Sequence, residues 1–394
     1  MKFLIQIPQL IYGGAEKVLV SFANDLVSRG HEVEILESYE KGFLRPQFDS
    51  RVTFYAICSK SYARRYYASL EEIISEKNLL KKLLKCMKWI FSKCVGYRRF
   101  AEKLAIQHYE NKYYDIAINY LEIESPQFLR NAVHAGKYIQ WYHTDVANLE
   151  HPEDTDKFIC EYEKMDAIIC VAKSAKESFI MRYPQLKDKT FVIYNFFDAD
   201  KIKDASKERF HFCASKQNVP ILLSVGRMTP QKKYLRFLNV LKKLKDTGYD
   251  FQWYVFGDGM ERELIKKKIC EYHLQDQVFL EGLTDNPYKY MTHCDLFVLP
   301  SGWEGFPTVT VEAKLLNCAV LATDVSGIRE QMIHGKTGWI VENSEEGIYD
   351  GLKFLLDNSG VVRKICSNEG MEEIYSNEKK YDDFIEICNK RGRL

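Results

Sequence analysis

The sequence lacks any cysteine pair at C-x-x-C spacing; its eleven cysteines stand singly between Cys58 and Cys388, and their number is odd. That excludes a zinc cluster built on such pairs and points to a reduced, cytoplasmic thiol set. Also missing is a stretch of roughly 18 uninterrupted apolar residues, the minimum for a spanning helix. The opening "MKFLIQIPQL" has one basic residue and no cleavage site, so it reads as a first strand and not as a signal peptide. A soluble cytoplasmic protein, or one resting on the inner face of the plasma membrane, is expected. Charge of one sign is absent too: 56 Lys and Arg meet 55 Asp and Glu, for a net charge of +1. A nucleic-acid partner, which calls for a basic excess, is therefore not expected. There is no internal repeat and no low-complexity tract.

What is present is length and alternation. A chain of 394 residues is too long for one comfortable core, so two domains of similar size are expected. Short apolar strands alternate with longer helical patterns, the mark of α/β architecture with βαβ units around parallel sheets. In the first series "KFLIQIP" is followed by "GGAEKVLVSFANDLVSRG", where Val18, Leu19, Phe22, Leu26 and Val27 recur at helical spacing and Gly30 stops the helix. A second series runs from "PILLSVGRM" through "FQWYVFGDG", "QVFLEGL", "CDLFVLPS" and "AVLATDV" to "TGWIVE". Between them lies a polar, weakly periodic stretch over 195–220. The domains are expected at 1–196 and 197–375, with 376–394 forming a final helix that crosses back to the first domain.

Residues 59–103 break the alternation, with twelve Lys or Arg against four acids. Leu80, Leu83, Leu84, Met87, Ile90, Phe91 and Cys94 fall on one side of a helix, with Lys81, Lys82, Lys85 and Lys93 opposite. Such a helix can lie on an anionic bilayer with its apolar face among the headgroups. It can equally pack that face on the N-terminal sheet and leave its lysines in water. The pattern alone leaves both readings open.

The residues fit for chemistry follow strands of the second series, and in open α/β sheets the ligand crevice lies outside the carboxyl ends of the strands. Arg227 follows "ILLSVG", with Lys232 and Lys233 close behind. Gly257 and Asp258 follow "WYVF", and "SGWEGFPTVTVEAKLLNC" follows "LFVLP". Arg227 and Lys232 can neutralise a diphosphate, the first bidentately and the second as a point charge. Pro307 suits a first helical position, and the amides of Thr308 and Val309 would then form an anion seat at a helix amino end. Glu304 and Glu312 flank that seat. Two acids beside one phosphate would repel it unless each is turned to a neutral polyol, so each is expected to accept hydrogen bonds from hydroxyls.

These stretches resemble the retaining glycosyltransferases of the GT-B fold, in the large glycosyl transferases group 1 family (family 4 type) with its sucrose-synthase-like and mannosyltransferase-like enzymes. The resemblance rests on "SVGRMTPQKK", "VFGDGMERELIKKKI", the run from "VFLEGLTDNPYKYM" to "GKTGWIV" with Glu304 and Glu312 in E-x(7)-E, and "GGAEKVLVSFANDLVSRGHEV" in the first half. It implies two Rossmann-like domains whose parallel sheets face each other across a deep cleft. It further implies transfer of a hexose or N-acetylhexosamine from a nucleoside diphosphate sugar, most commonly a uridine diphosphate sugar, to a glycan acceptor. A lipid-linked acceptor in bacterial surface polysaccharide assembly would account for the basic insert.

Residue by residue, the resemblance puts Glu304 at the donor sugar, Glu312 at the ribose, and Arg227 and Lys232 on the leaving diphosphate. Gly13 and Gly14 approach the same phosphates from across the cleft, and Gly257, Gly305, Phe306, Thr308 and Val309 are further donor-binding candidates. His143 in "QWYHTD" faces the donor sugar, and the backbone near Leu283 meets the base. Arg227, Lys232, Glu304 and His143 are the catalytic candidates. Two positions depart from the commonest pattern: Pro307 and Lys233 stand where many relatives have glycine. "DAD" at 198–200 has the form of a metal site of another glycosyltransferase fold, but it falls in the domain junction and the two cations suffice, so no metal or other cofactor is expected. "GGAE" lacks the third glycine of a dinucleotide fingerprint. An epimerase or phosphorylase of the same architecture, or a non-catalytic nucleotide-sugar-binding protein, remain as alternatives.

Overall fold

The computed structural model describes residues 1–11, 13–59, 73–91, 97–148, 153–210, 212 and 219–390. Two wholly parallel sheets organise them. The first, of seven strands, has the order β3-β2-β1-β4-β5-β6-β7; the second, of six, has the order β10-β9-β8-β11-β12-β13. The strands of the first are β1 (Lys2–Ile7), β2 (Glu32–Tyr39), β3 (Thr53–Cys58), β4 (Tyr113–Asn119), β5 (His134–Tyr142), β6 (Ala167–Cys170) and β7 (Thr190–Val192). Those of the second are β8 (Ile221–Val225), β9 (Gln252–Phe256), β10 (Val278–Gly282), β11 (Leu296–Leu299), β12 (Val320–Thr323) and β13 (Trp339–Val341). Central strands read as continuous apolar runs because both faces are covered: Leu296 to Leu299 and Val320 to Thr323 are buried throughout.

Eight helices frame the cleft or bear on its surroundings. They are α1 (Gly14–Ser28), α2 (Leu79–Phe91), α3 (Tyr97–Tyr109), α4 (Lys173–Arg182), α5 (Tyr234–Asp246), α6 (Thr308–Leu315), α7 (Glu345–Asp357) and α8 (Asn377–Asn389). In each sheet the strand order reverses once, between β1 and β4 and between β8 and β11. Loops leaving those strands turn to opposite faces and open a crevice there. The two crevices supply most of the candidate site.

The last helix belongs to the N-terminal core. Phe384 is fully buried, with its ring 5.9 Å from Phe3, 5.2 Å from Phe22 and 5.8 Å from Trp141. Lys380, 3% exposed, donates from Nζ to the Asn195 carbonyl at 2.8 Å, which ties α8 to the segment joining the domains. Burial pushes its pKa down to about 7. At the rim Arg29 donates two hydrogen bonds of 2.9 Å to Glu378.

The two readings of the basic segment now separate. Leu79, Leu80, Leu83, Leu84, Met87 and Ile90 of α2 are all exposed, between 54% and 77%. Lys82, Lys85 and Trp89, on the other side, are partly covered, and Lys85 pairs with Glu76 at 2.9 Å. The apolar stripe is therefore exposed and is not packed on the sheet, against the reading that buried it there. Lys93 and Cys94 lie outside the described residues. A smaller correction concerns Pro307, which is extended (φ −63°, ψ 118°) and precedes α6 as its N-cap, leaving Thr308 as the first helical residue.

Truncating a fully buried aromatic forfeits its transfer free energy and leaves a cavity. Phe384→Ala is expected to lower unfolding free energy by about 3–5 kcal/mol in urea titrations. Glu378→Ala, which removes an exposed ion pair from the first turn of the same helix, is expected to leave the urea midpoint close to that of the wild type.

Candidate active site

All thirteen candidate residues line one cavity of about 300 Å³ between the two sheets. From the N-terminal side come Gly13 and Gly14 at the start of α1 and His143 after β5; the second sheet supplies Arg227 and Lys232 after β8, Gly257 after β9 and Leu283 after β10. Glu304, Gly305 and Phe306 follow β11, and Thr308, Val309 and Glu312 belong to α6. A roomier hollow of about 690 Å³ lies behind α4 and α8, but it mixes lysines and acids on helix flanks, with no strand-end glycine loop.

The centre of the cavity is an ion pair. Lys232 Nζ donates to Glu304 Oε1 at 2.6 Å, and both side chains are largely buried, 13% and 8% exposed. Gln231 Nε2 reaches the other carboxylate oxygen at 3.2 Å and the Trp303 carbonyl at 3.0 Å, while Gly302 N–H donates to Gln231 O at 2.8 Å. The loop after β8 and the loop after β11 are thus clasped at the switch point of their sheet. Lysine has three donors and the ion pair consumes one, so Nζ keeps donors for an anion.

Beside it, Lys233 takes a left-handed conformation (φ 52°), the region that favours glycine; its ammonium lies 5.3 Å from the Trp303 ring. Gly257 (φ 145°) is needed for proximity as well: a Cβ there would fall 1.9 Å from the Gly226 carbonyl oxygen. Asp198 of the "DAD" stretch is engaged otherwise, accepting the Lys201 N–H at 2.9 Å as the N-cap of the helix Ala199–Ser206.

Glu312 sits one turn into α6, 5% exposed, and accepts from Tyr288 OH at 3.2 Å. Burial raises its pKa, opposed by the nearby ammonium of Lys17, which comes from α1 across the cleft and lines the cavity too. His143 stands where the domains touch: a Cβ on Gly305 would lie 1.9 Å from the His143 carbonyl oxygen, so any larger residue at 305 would force the domains apart. Its imidazole hydrogen-bonds to the Tyr120 backbone, Nε2 is buried without a partner, and the backbone N–H of His143 donates to the Glu122 carboxylate at 3.1 Å. Burial pushes the imidazole pKa down to about 3, so the ring is neutral and Nε2 offers a lone pair.

Several participants escape sequence reasoning. Lys17 is one, since a lysine in a surface helix pattern gives no sign of crossing a cleft. Glu330 is another: from the C-terminal domain it accepts the N–H groups of Lys173 and Ser174 at 2.8 and 3.0 Å, sealing the positive end of α4 in the N-terminal domain, and takes Tyr194 OH at 2.9 Å. A second hollow of about 300 Å³ opens at the carboxyl ends of β1 to β4. There Glu124 accepts from Ser38 Oγ at 2.6 Å and Gln6 Nε2 at 3.3 Å, beside Tyr39 and Arg98, and Gln6 Oε1 is buried without a partner. Its one signal in the sequence is a glutamine inside the apolar "FLIQIP".

Residues 206–387, which hold most of this constellation, match the family model of the glycosyl transferases group 1. Those residues belong to that family. The group 1 domain so defined holds the Lys232–Glu304 pair, Arg227 and Glu312. Among curated proteins, the chain is 31% identical over 210 residues, 53% of its length and 55% of the other's, to the N-acetylgalactosamine-N,N'-diacetylbacillosaminyl-diphospho-undecaprenol 4-alpha-N-acetylgalactosaminyltransferase of Campylobacter jejuni. It is 25% identical over 240 residues to the poly(ribitol-phosphate) alpha-N-acetylglucosaminyltransferase of Staphylococcus aureus, 60% of this chain and 46% of that one. The matched stretch thus spans about half the length of these curated relatives. Among solved structures, Anabaena HepE in complex with UDP and glucose superposes with a TM-score of 0.75 at 16% identity, covering 99% of this chain and 100% of that one. S. aureus TarM superposes with a TM-score of 0.74 at 15% identity, covering 99% of each. The fold is GT-B: two Rossmann-like domains with parallel sheets facing a common cleft, the group 1 domain being the second.

The neutral His143 gives a pH signature. Unfolded, its pKa returns to about 6.5, so between that value and about 3 the unfolded chain holds the extra proton and stability falls as pH falls. From pH 7 to pH 5 the wild type should lose up to about 2 kcal/mol more than His143→Gln, read as the difference between their urea curves.

Proposed function

We propose that the protein is a retaining, metal-independent glycosyltransferase. It moves a hexose or N-acetylhexosamine from a nucleoside diphosphate sugar, a uridine diphosphate sugar first among them, to a hydroxyl of a lipid-linked glycan in bacterial surface polysaccharide assembly. The observation that supports this best is the convergence of Arg227, Lys232, Glu304 and Glu312 on one cavity between two Rossmann-like domains. UDP bound in HepE, and the diphospho-undecaprenol acceptor named for the Campylobacter relative, support the donor and acceptor classes.

The chemistry follows from charge. As the glycosidic bond breaks, negative charge grows on the departing diphosphate and positive charge on the anomeric carbon. Arg227 and the free donors of Lys232 meet the first, so no metal is needed to neutralise the leaving group. Glu304, still bonded to Lys232, accepts from sugar hydroxyls, and Glu312 accepts from the ribose diol with Tyr288 holding its other side. The lone pair on His143 Nε2 accepts from a further sugar hydroxyl, a role open only to a neutral imidazole. The acceptor attacks from the face the diphosphate leaves, its proton passes to the β-phosphate, and the anomeric configuration is kept.

Removing one preorganised donor to developing charge typically lowers turnover on the order of 10²–10³-fold. Arg227→Ala and Lys232→Ala should each do so with UDP-sugars and a lipid-linked glycan, while circular dichroism stays that of the wild type. The product linkage, read by proton NMR, should keep the donor's anomeric configuration. Isomerised or phosphorolysed donor without acceptor would favour the epimerase or phosphorylase reading, and tight donor binding with no transfer to any acceptor would favour a binding protein.

A further inference from the structure

We propose that the outward apolar face of α2 is a docking surface for an anionic lipid bilayer. Six large apolar side chains, Leu79, Leu80, Leu83, Leu84, Met87 and Ile90, stand exposed on a single helix. Their positions cover a stripe somewhat under half the helix circumference, and Lys81 and Lys82 border it. An ordinary surface helix turns such a stripe inward. Here the opposite side is the more covered one, with Lys85 and Trp89 partly buried and Lys85 paired with Glu76 just ahead of the helix, so the stripe is the side left to solvent.

Charge and size select the occupant. Residues 73–91 carry five lysines against one glutamate, whereas the chain as a whole is near neutral. A second copy seated on the same stripe would bring two such lysine sets together, which their repulsion opposes; a surface of acidic headgroups over acyl chains complements both the stripe and its border. At 13 residues α2 is about 20 Å long, too short to cross a bilayer but suited to lie in its interface. Among the described residues no helix is long and apolar enough to cross a membrane, so attachment through α2 would be peripheral.

The placement has a use. The segment holding α2 leaves the carboxyl end of β3, and the loops after β2 and β4 at the same edge expose Phe43 and Ile123, each at 71%. That edge also bounds the hollow around Gln6, Ser38 and Glu124. A bilayer seated on α2 would attach the protein through the stretch between β3 and α3, within the N-terminal domain to which a lipid-borne acceptor would come. The surface itself stands on α2 alone, and its loss would leave the donor cavity intact.

Vesicle flotation tests it with the full chain. The wild type should float with vesicles containing phosphatidylglycerol and stay at the bottom with phosphatidylcholine alone. Leu83→Glu/Met87→Glu should reduce recovery at least tenfold, and Lys81→Glu/Lys82→Glu should reduce it most at low salt. Leu264→Glu, which changes an exposed leucine on another helix, should float like the wild type. The substituted side chains are exposed or at the helix border, so folding should be unaffected, and unchanged circular dichroism and UDP-dependent thermal shifts would confirm it. Equal flotation of the wild type and Leu83→Glu/Met87→Glu, or no flotation with anionic vesicles, would overturn the proposal. So would a wild-type dimer in light scattering that becomes monomeric in Leu83→Glu/Met87→Glu without any lipid binding.

Discussion

The bond between Lys232 and Glu304 is the constraint on which the cavity depends. It spans two loops that leave adjacent strands at the reversal point of the second sheet, with Gln231 bracing the carboxylate from the other side. A largely buried ion pair is weak evidence for stability, because desolvation offsets most of the attraction, while loss of one partner strands the other charge. Its worth lies in position. Glu304 keeps Lys232 from drifting toward other acids, and Lys232 fixes the Glu304 carboxylate at the mouth of the loop after β11. The pair can therefore present one negative and one positive pole to a ligand in the cavity without being dismantled.

Around that pair the architecture is arranged for approach. Backbone contacts at Gly305 and His143 bring the domains within van der Waals distance, and Glu330 fastens the second domain to the amino end of α4 in the first. The last helix, locked by Phe384 and Lys380, returns the chain to the N-terminal core, so both domains share one terminal element. Relative movement of the two domains would have to break or bend these few contacts.

How much could be read from the sequence depends on how local each signal is. The parallel sheets were legible because burial on both faces writes uninterrupted apolar runs such as "LFVL" and "VLAT". The cavity residues of the second domain were legible because most follow their strand within a few positions, so a strand end and the side chains beyond it appear as one motif. Residues brought together from distant strands left no such trace: Gln6, Ser38 and Glu124 meet only through the order of the sheet, and Lys17 reaches Glu312 only when two domains face each other. For α2 the periodicity gave the helix but not its orientation, since an apolar stripe fits a core and a bilayer equally well; burial decides, and here the stripe is outside.

The shared role of Lys232 is tested most directly by calorimetric titration of UDP and a UDP-sugar into wild type, Lys232→Met and Glu304→Gln. If Lys232 serves both Glu304 and the diphosphate, Lys232→Met should bind UDP at least tenfold more weakly. Glu304→Gln, which frees the ammonium, should bind UDP as tightly as the wild type or tighter, yet lose the added affinity given by the sugar. A loss of UDP affinity in Glu304→Gln as large as that in Lys232→Met would contradict the account.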